Sequence, residues 1–296
     1  MKRQALLTLV LAVLFVVAAV VIVLLLTAHR APSSSFYTSD LPKMLVIAHK
    51  GGDGLWPGNT MYAFEHVVAL GVDVVETDLH QTKDGVLVLS HDDRVENISN
   101  GTGNVWDLTF AELQKLDAGY RWSPDNGQTF PHRGQGITYT SLEAVFKAFP
   151  EMRFYVDMKQ TKPPIYAPFC QLIRQYHMEN RVVAASFSRA NITAFRKLCP
   201  EVATSADQTE TFVFVVLNFA RLGRCFSPEF QAFAVPVESS GLPVITPSFV
   251  SAAHERNVRV EAWTIDDSAE MERLIAMGVD GIITDRPDTL KGVLGR

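Results

Sequence analysis

The chain has 296 residues, 47% of them hydrophobic and 20% charged, with a formal net charge of −5. That balance is globular rather than disordered, and without a Lys/Arg stripe it points away from nucleic-acid binding. Cys170, Cys199 and Cys225 lie far apart with no CxxC spacing, which argues against a zinc site or a disulfide framework. One pair could still form, but the expectation is three buried thiols.

From Ala5 to Ala28 run 24 uncharged residues, enough at ~1.5 Å per residue to cross a ~30 Å hydrocarbon core. The apolar part of a signal peptide is shorter, ~7–15 residues, so the expectation is an uncleaved single-pass anchor. Lys2 and Arg3 precede it and put the N-terminus in the cytoplasm, with the rest of the chain outside, in a periplasm if the cell is bacterial. His29 and Arg30 weaken that bias a little. Residues 1–30 therefore read as tip and transmembrane anchor, and 31–43, opening APSSSFYTS, as a polar linker. Residues 44–296 read as the catalytic domain, at roughly 250 residues the size of one α/β barrel.

Strand and helix patterns alternate from Met44 onward. Leu45-Val46-Ile47-Ala48 is a short apolar run, as expected of a parallel strand covered on both faces. Asn59 is a candidate cap for a helix carrying Ala63, Phe64, Val67, Val68 and Leu70, which Gly71 ends. Residues 72–78 form the next strand, and Asp84-Gly85 turns it into a hairpin with residues 86–89. Further strands are expected at 154–158, 182–187, 202–205, 233–235, 258–264 and 281–284. Helices are expected at 164–176, 189–198, 210–222, 247–256 and 268–277. Eight βα units at this length predict a (β/α)8 barrel behind one transmembrane helix. The apolar run from Phe212 to Phe219 is expected to pack against the barrel.

Active sites of such barrels gather where the strands end, and the polar residues collect there. His49 follows the first strand, Glu76 and Asp78 close the second, His91 follows the hairpin, and Asp157 and Lys159 close the strand at 154–158. Side chains alternate along a strand, so Val74, Glu76 and Asp78 share one inward face. Two buried carboxylates so close would repel and protonate unless a cation lay between them. A hard divalent ion, Mg²⁺ or Ca²⁺, suits such oxygens, and Asp157 could add a third ligand. His80 shares the face of Asp78 and is a candidate for the mouth. Asp285-Arg286 reads as a structural turn.

These residues, in order, resemble the glycerophosphodiester phosphodiesterase family. The resemblance runs through Ile47-Ala48-His49-Lys50-Gly51-Gly52, Pro57-Gly58-Asn59-Thr60, Glu76-Thr77-Asp78, Thr82-Lys83-Asp84-Gly85, His91-Asp92 and Asp157-Met158-Lys159. It continues through Ala262-Trp263-Thr264-Ile265-Asp266 to Gly278-Val279-Asp280-Gly281 and Thr284-Asp285-Arg286-Pro287, and so covers about Met44 to Arg296. It implies metal-dependent hydrolysis of glycerophosphodiesters to an alcohol and sn-glycerol 3-phosphate, or lysophospholipase D action on membrane lysolipids. The metal would fall to Glu76, Asp78 and Asp157, and the acid–base roles to His49 and His91. Lys50, Lys159 and Trp263 would meet the substrate. The family usually has Glu where Asp157 stands. Lys50 replaces the arginine of the family's His-Arg-Gly, and a point charge replaces a planar fork. Gly58 replaces the glutamate of Pro-Glu-Asn-Thr and removes a charge. Those two departures motivate a competing expectation, a weakly active or silent binder of phosphodiester headgroups.

Overall fold

A computed structural model describes residues 2–296. Its first helix, α1 (Lys2–Thr27), contains a 22-residue apolar stretch, Leu6–Thr27, with none of its described side chains buried against the rest of the chain. By length and composition it could cross a membrane. Met1 and the side chains of Lys2 and Arg3, on which the expected orientation turns, lie outside the described residues.

The parallel strands are β1 (Leu45–Ala48), β2 (Val74–Gln81), β4 (Phe154–Met158), β5 (Val182–Ala185), β6 (Ala203–Thr204), β7 (Ala232–Pro236), β10 (Arg259–Trp263) and β11 (Gly281–Thr284). They run in the order β6-β5-β4-β2-β1-β11-β10-β7, and a bridge between Ser205 and Ala232 brings the two ends together. The result is a nearly closed (β/α)8 barrel. The antiparallel strand β3 (Leu87–Leu89) pairs with the end of β2 as the Asp-Gly turn predicts. A small hairpin, β8 (Glu238–Ser239) with β9 (Leu242–Pro243), stands on the loop after β7.

Around the strands lie α2 (Met61–Leu70), α4 (Leu142–Ala148), α5 (Tyr166–Gln175), α6 (Arg189–Leu198), α7 (Gln208–Phe219), α8 (Pro247–Glu255), α9 (Ser268–Met277) and α10 (Pro287–Val293). Side-chain caps start most of them: Thr60, Ser141, Ser188, Asp207, Thr246 and Asp267 each accept from a backbone N–H three residues on, satisfying donors that the helix leaves open. Thr60, not Asn59, caps α2. Asn59 sits in the left-handed region at φ 57°, and its side chain is used elsewhere.

Period-2 alternation divides the core into two shells. Leu45, Ile47, Val74, Tyr155, Val183, Ala203 and Ile283 fill the barrel, while Val46, Ala48, Val75, Phe154 and Val156 face the helices. A third cluster, including Val88, Val95, Val105, Leu113 and Tyr139, supports the insertion between β3 and α4, which carries the short helix α3 (Phe110–Leu113). His80 is buried beneath that insertion, 3.7 Å from Asp93 and against Trp106, and does not reach the mouth.

Three expectations are corrected here. Residues 31–43 are packed rather than a loose spacer: Ala31 and Phe36 are buried, Phe36 joins the interior cluster, and Tyr37 donates to Glu261 Oε1 at 2.9 Å. The segment plugs the end of the barrel opposite the catalytic residues. Second, Cys170 and Cys199 form a disulfide, their Cα atoms 5.9 Å apart, because α5 and α6 are neighbours around the barrel; Cys225 is the buried free thiol. Third, only part of the run Phe212–Phe219 packs inward. Phe214 is buried, whereas Phe212 and Phe219 are 68% and 64% exposed.

Candidate active site

The carboxyl ends of β1, β2 and β4 adjoin, and their side chains meet across one mouth. Glu76 and Asp78 emerge from β2, and Asp157 lies beside Asp78 in the parallel register. All three are buried, with Asp78 only 1% exposed. His49 leaves β1 in a tight turn completed by Lys50, Gly51 and Gly52, all at positive φ. Gly51 is required there, since a Cβ would lie 2.5 Å from the Phe64 ring. His91 follows β3 and is half exposed.

Both histidines are oriented by carboxylates. Nδ1 of His49 donates to Asp285 Oδ1 at 2.7 Å, and Nδ1 of His91 donates to Asp92 Oδ1 at 2.8 Å. A carboxylate can only accept, so each Nδ1 carries the proton and each Nε2 is left for chemistry. His49 Nε2 lies 4.0 Å from Glu76 Oε2. The turn at Asp285 is therefore more than structural. Asp285 follows β11, and β11 pairs with β1, which carries it to His49.

The acidic groups are held in place. The Lys50 backbone N–H donates to Glu76 Oε2 at 2.9 Å. Asn59 Nδ2 donates to Asp78 Oδ2 at 2.9 Å, and Asn59 Oδ1 accepts from the Thr77 hydroxyl at 2.6 Å. Lys159 Nζ stands between Asp157 Oδ2 at 2.7 Å and Asp78 Oδ1 at 3.1 Å. Asp157 Oδ1 is buried with no hydrogen-bond partner among the described residues. Burial, followed by the charge of Asp78, raises the Glu76 carboxyl to about 7. Burial raises Asp157 as well, against the pull of Lys159. For His49, burial opposes the charged ring, but the hydrogen bond to Asp285 and the Glu76 charge outweigh it and raise the pKa. For Lys159, burial again opposes the charge, and the Asp157 and Asp78 carboxylates outweigh it.

Three buried carboxylates facing one ammonium leave an excess of negative oxygen. That donor set, with Asp157 Oδ1 unpartnered, fits a hard divalent cation. Among the described residues, the group whose ligand atoms lie within 4.8 Å of one another is a different one, Cys170, Cys199 and Glu201. Its two sulfurs are bonded to each other, so it offers no thiolate ligands.

The two departures at the first loop are neighbours in space. Lys50 Nζ lies 3.7 Å from Asp53 Oδ2, and the Gly58 N–H donates to Asp53 Oδ1 at 3.0 Å. A Cβ at position 58 would meet Asp53 Oδ1 at 2.6 Å and Lys50 Cβ at 2.9 Å. Asp53 fills the room a longer residue 58 would need.

A cavity of about 700 Å³ opens over these groups. His49, Glu76, Asp78, His91, Asp157, Lys159 and Trp263 line it, and Lys50 does not. Part of its lining is apolar, with Phe187, Phe212, Leu242 and Pro243. Phe187 meets Trp263 edge-on at 6.1 Å and lies 5.3 Å from Lys159 Nζ. Sequence reasoning missed this wall because it is assembled from three distant segments: the loop after β5, the first turns of α7 and the β8–β9 hairpin.

Comparison with known proteins agrees with the architecture. The glycerophosphodiester phosphodiesterase of Caldanaerobacter subterraneus subsp. tengcongensis is 34% identical over 257 residues, 84% of this chain and 96% of that protein. The lysophospholipase D GDPD1 of Rattus norvegicus is 27% identical over 84% of this chain and 85% of that protein. Among solved structures, a phosphodiesterase of Oleispira antarctica in complex with sn-glycerol-3-phosphate shares the fold, with a TM-score of 0.70 at 21% identity, covering 89% of this chain and 100% of that one. The sequence pattern of the glycerophosphoryl diester phosphodiesterase family matches residues 49–289. The chain belongs to the glycerophosphoryl diester phosphodiesterase family and is a phosphoric diester hydrolase.

Proposed function

We propose that the barrel mouth hydrolyses glycerophosphodiesters to an alcohol and sn-glycerol 3-phosphate, with His49 and His91 exchanging the protons. The observation that carries this assignment is that both histidines and all three buried carboxylates line one cavity. Glu76, Asp78 and Asp157 would hold the divalent cation, Mg²⁺ or Ca²⁺. When bound, it supplies positive charge against the phosphate oxygens as negative charge builds. One imidazole Nε2 takes a proton from the attacking oxygen, either water or the neighbouring glycerol hydroxyl. The other gives a proton to the departing alkoxide as its bond to phosphorus breaks. If the glycerol hydroxyl attacks, water opens the resulting cyclic phosphate in a second step, with the proton transfers reversed. Lys159 adds positive charge beside the phosphate, Lys50 adds charge further out, and Trp263 gives a flat wall for the organic part.

The N-terminal helix acts as an uncleaved membrane anchor, with the barrel outside the cytoplasm. Residues 1–30 form the tip and anchor, 31–43 the junction, and 44–296 the enzyme. The Cys170–Cys199 disulfide supports this, since such bonds persist in oxidising compartments. A second reading, lysophospholipase D action, is favoured by the apolar wall of Phe187, Phe212 and Leu242, which suits an acyl chain.

The test is turnover of glycerophosphocholine and a lysophospholipid by the purified chain, with product identified by phosphorus NMR. Glycerol 3-phosphate from the first substrate, lost in His49→Ala and His91→Ala, is the expected result. Undiminished product from both variants would remove the histidines from the mechanism.

A further inference from the structure

The exposed face of α7 has no partner among the described residues. Phe212, Val216 and Phe219 are spaced to share one side of the helix, and they are 68%, 49% and 64% exposed, with Val213 at 41% beside them. The helix carries a single charged residue, Glu210, and that is turned aside to Arg196 at 2.6 Å. Soluble surfaces rarely leave such a continuous stripe uncovered.

Its position says what covers it. At its first turn α7 borders the catalytic cavity, which Gln208, Thr211 and Phe212 help to line. At its last turn it runs into the short turn Gly223–Cys225, and that turn meets α1. The junction has little slack. α1 ends at Thr27, yet the His29 N–H donates to Ser227 Oγ at 3.3 Å and the Ala31 N–H donates to the Arg256 carbonyl at 2.8 Å. Four residues span at most ~14 Å, so a barrel joined in this way cannot drift from the surface that α1 enters. Arg30 and Arg221 are exposed at the same end, where cations meet lipid phosphates.

We propose that α7 is a second membrane contact: its apolar stripe lies on the outer leaflet of the bilayer that α1 spans and holds the cavity mouth at headgroup level. The proposal rests on the anchor reading above. A helix of 12 residues is ~18 Å long, so contact along it lays the barrel on its side and brings the rim formed by Phe187, Phe212 and Leu242 to the lipid. Amphiphilic substrates would then enter from the membrane rather than from bulk water.

The test places a polarity-sensitive fluorophore on single added cysteines in the full chain, reconstituted in phosphatidylcholine vesicles. The positions are Val216→Cys, Phe219→Cys and, as a control across the barrel on α4, Lys147→Cys. The unsubstituted chain gives the background from Cys225, and each labelled chain must keep the wild-type melting transition. Spin-labelled phosphatidylcholine is expected to quench the probes at 216 and 219 at least about threefold more than the probe at 147. Equal quenching at all three sites overturns the proposal. So does a probe at 216 or 219 that responds to the protein-to-lipid ratio but not to the spin-labelled lipid, which would mean a second copy covers the face. A chain that washes off the vesicles at high pH contradicts the anchor, whereas one that stays while 216 and 219 see water contradicts only the docking.

Discussion

Replacing Asp285 with Asn isolates the orientation of His49 from its presence. The bond from Nδ1 to Asp285 Oδ1 is 2.7 Å long and only partly exposed, with the aspartate side chain 27% accessible. Hydrogen bonds to a charged partner contribute about 1.5–3 kcal/mol, so losing this one costs roughly 10- to 150-fold in rate if it matters only in the transition state. The amide can also donate to Nδ1, which moves the imidazole proton to Nε2 and blocks that atom as a base. Such a tautomer switch takes the loss toward about 10⁴-fold. Asp285 also raises the His49 pKa. If neutral His49 is the base, activity falls as pH drops through that pKa, and in the variant the fall moves to lower pH. The assay is kcat/KM for glycerophosphocholine across pH, which reports groups of the free enzyme. A variant with wild-type rate and an unmoved acidic limb would refute the role of Asp285.

Three further outcomes test the fold. Glu261 is fully buried inside the barrel, and burial raises its carboxyl from 4.5 to about 7. The folded state therefore holds its proton more tightly than the unfolded state. That stability is complete below about pH 4.5 and lost as pH rises through 7, a fall of about 3 kcal/mol. Glu261→Gln should flatten this part of the stability curve in denaturant titrations, and an unchanged slope would contradict it. Reducing the Cys170–Cys199 disulfide, which closes 29 residues, should cost about 3–4 kcal/mol by chain entropy, read as a lower melting temperature with dithiothreitol; no change would mean the bond does not constrain the unfolded chain. Phe36→Ala should destabilise by about 3–5 kcal/mol, because Phe36 is part of the barrel's interior; a loss under 1 kcal/mol would mean the plug is loosely held.

What could be read from the sequence was what depends on local period. Alternation along Val74-Val75-Glu76-Thr77-Asp78 put two carboxylates on the interior face with Val74, and the strand does so. The Asp84-Gly85 turn foretold the hairpin. What depends on closure was not legible. Asp285 reaches His49 only because β11 pairs with β1, 236 residues away from contact along the chain. Cys170 and Cys199 meet because α5 and α6 pack side by side. Asn59 and Thr60 are both good caps by type, and the choice fell to Thr60 because Asn59 is drawn to Asp78 and Thr77. Helical spacing marked an apolar face on α7, but spacing alone does not say that this face looks away from the barrel.

In the proposed mechanism Glu76, Asp78 and Asp157 hold a divalent cation on which hydrolysis depends. This is tested most directly by measuring glycerophosphocholine turnover after exhaustive EDTA treatment, then with Mg²⁺ or Ca²⁺ restored, in the wild type and in Glu76→Gln. The expected result is that the wild type loses activity in EDTA and recovers it with metal, while Glu76→Gln does not recover at the same concentration. Full wild-type turnover in EDTA would contradict it.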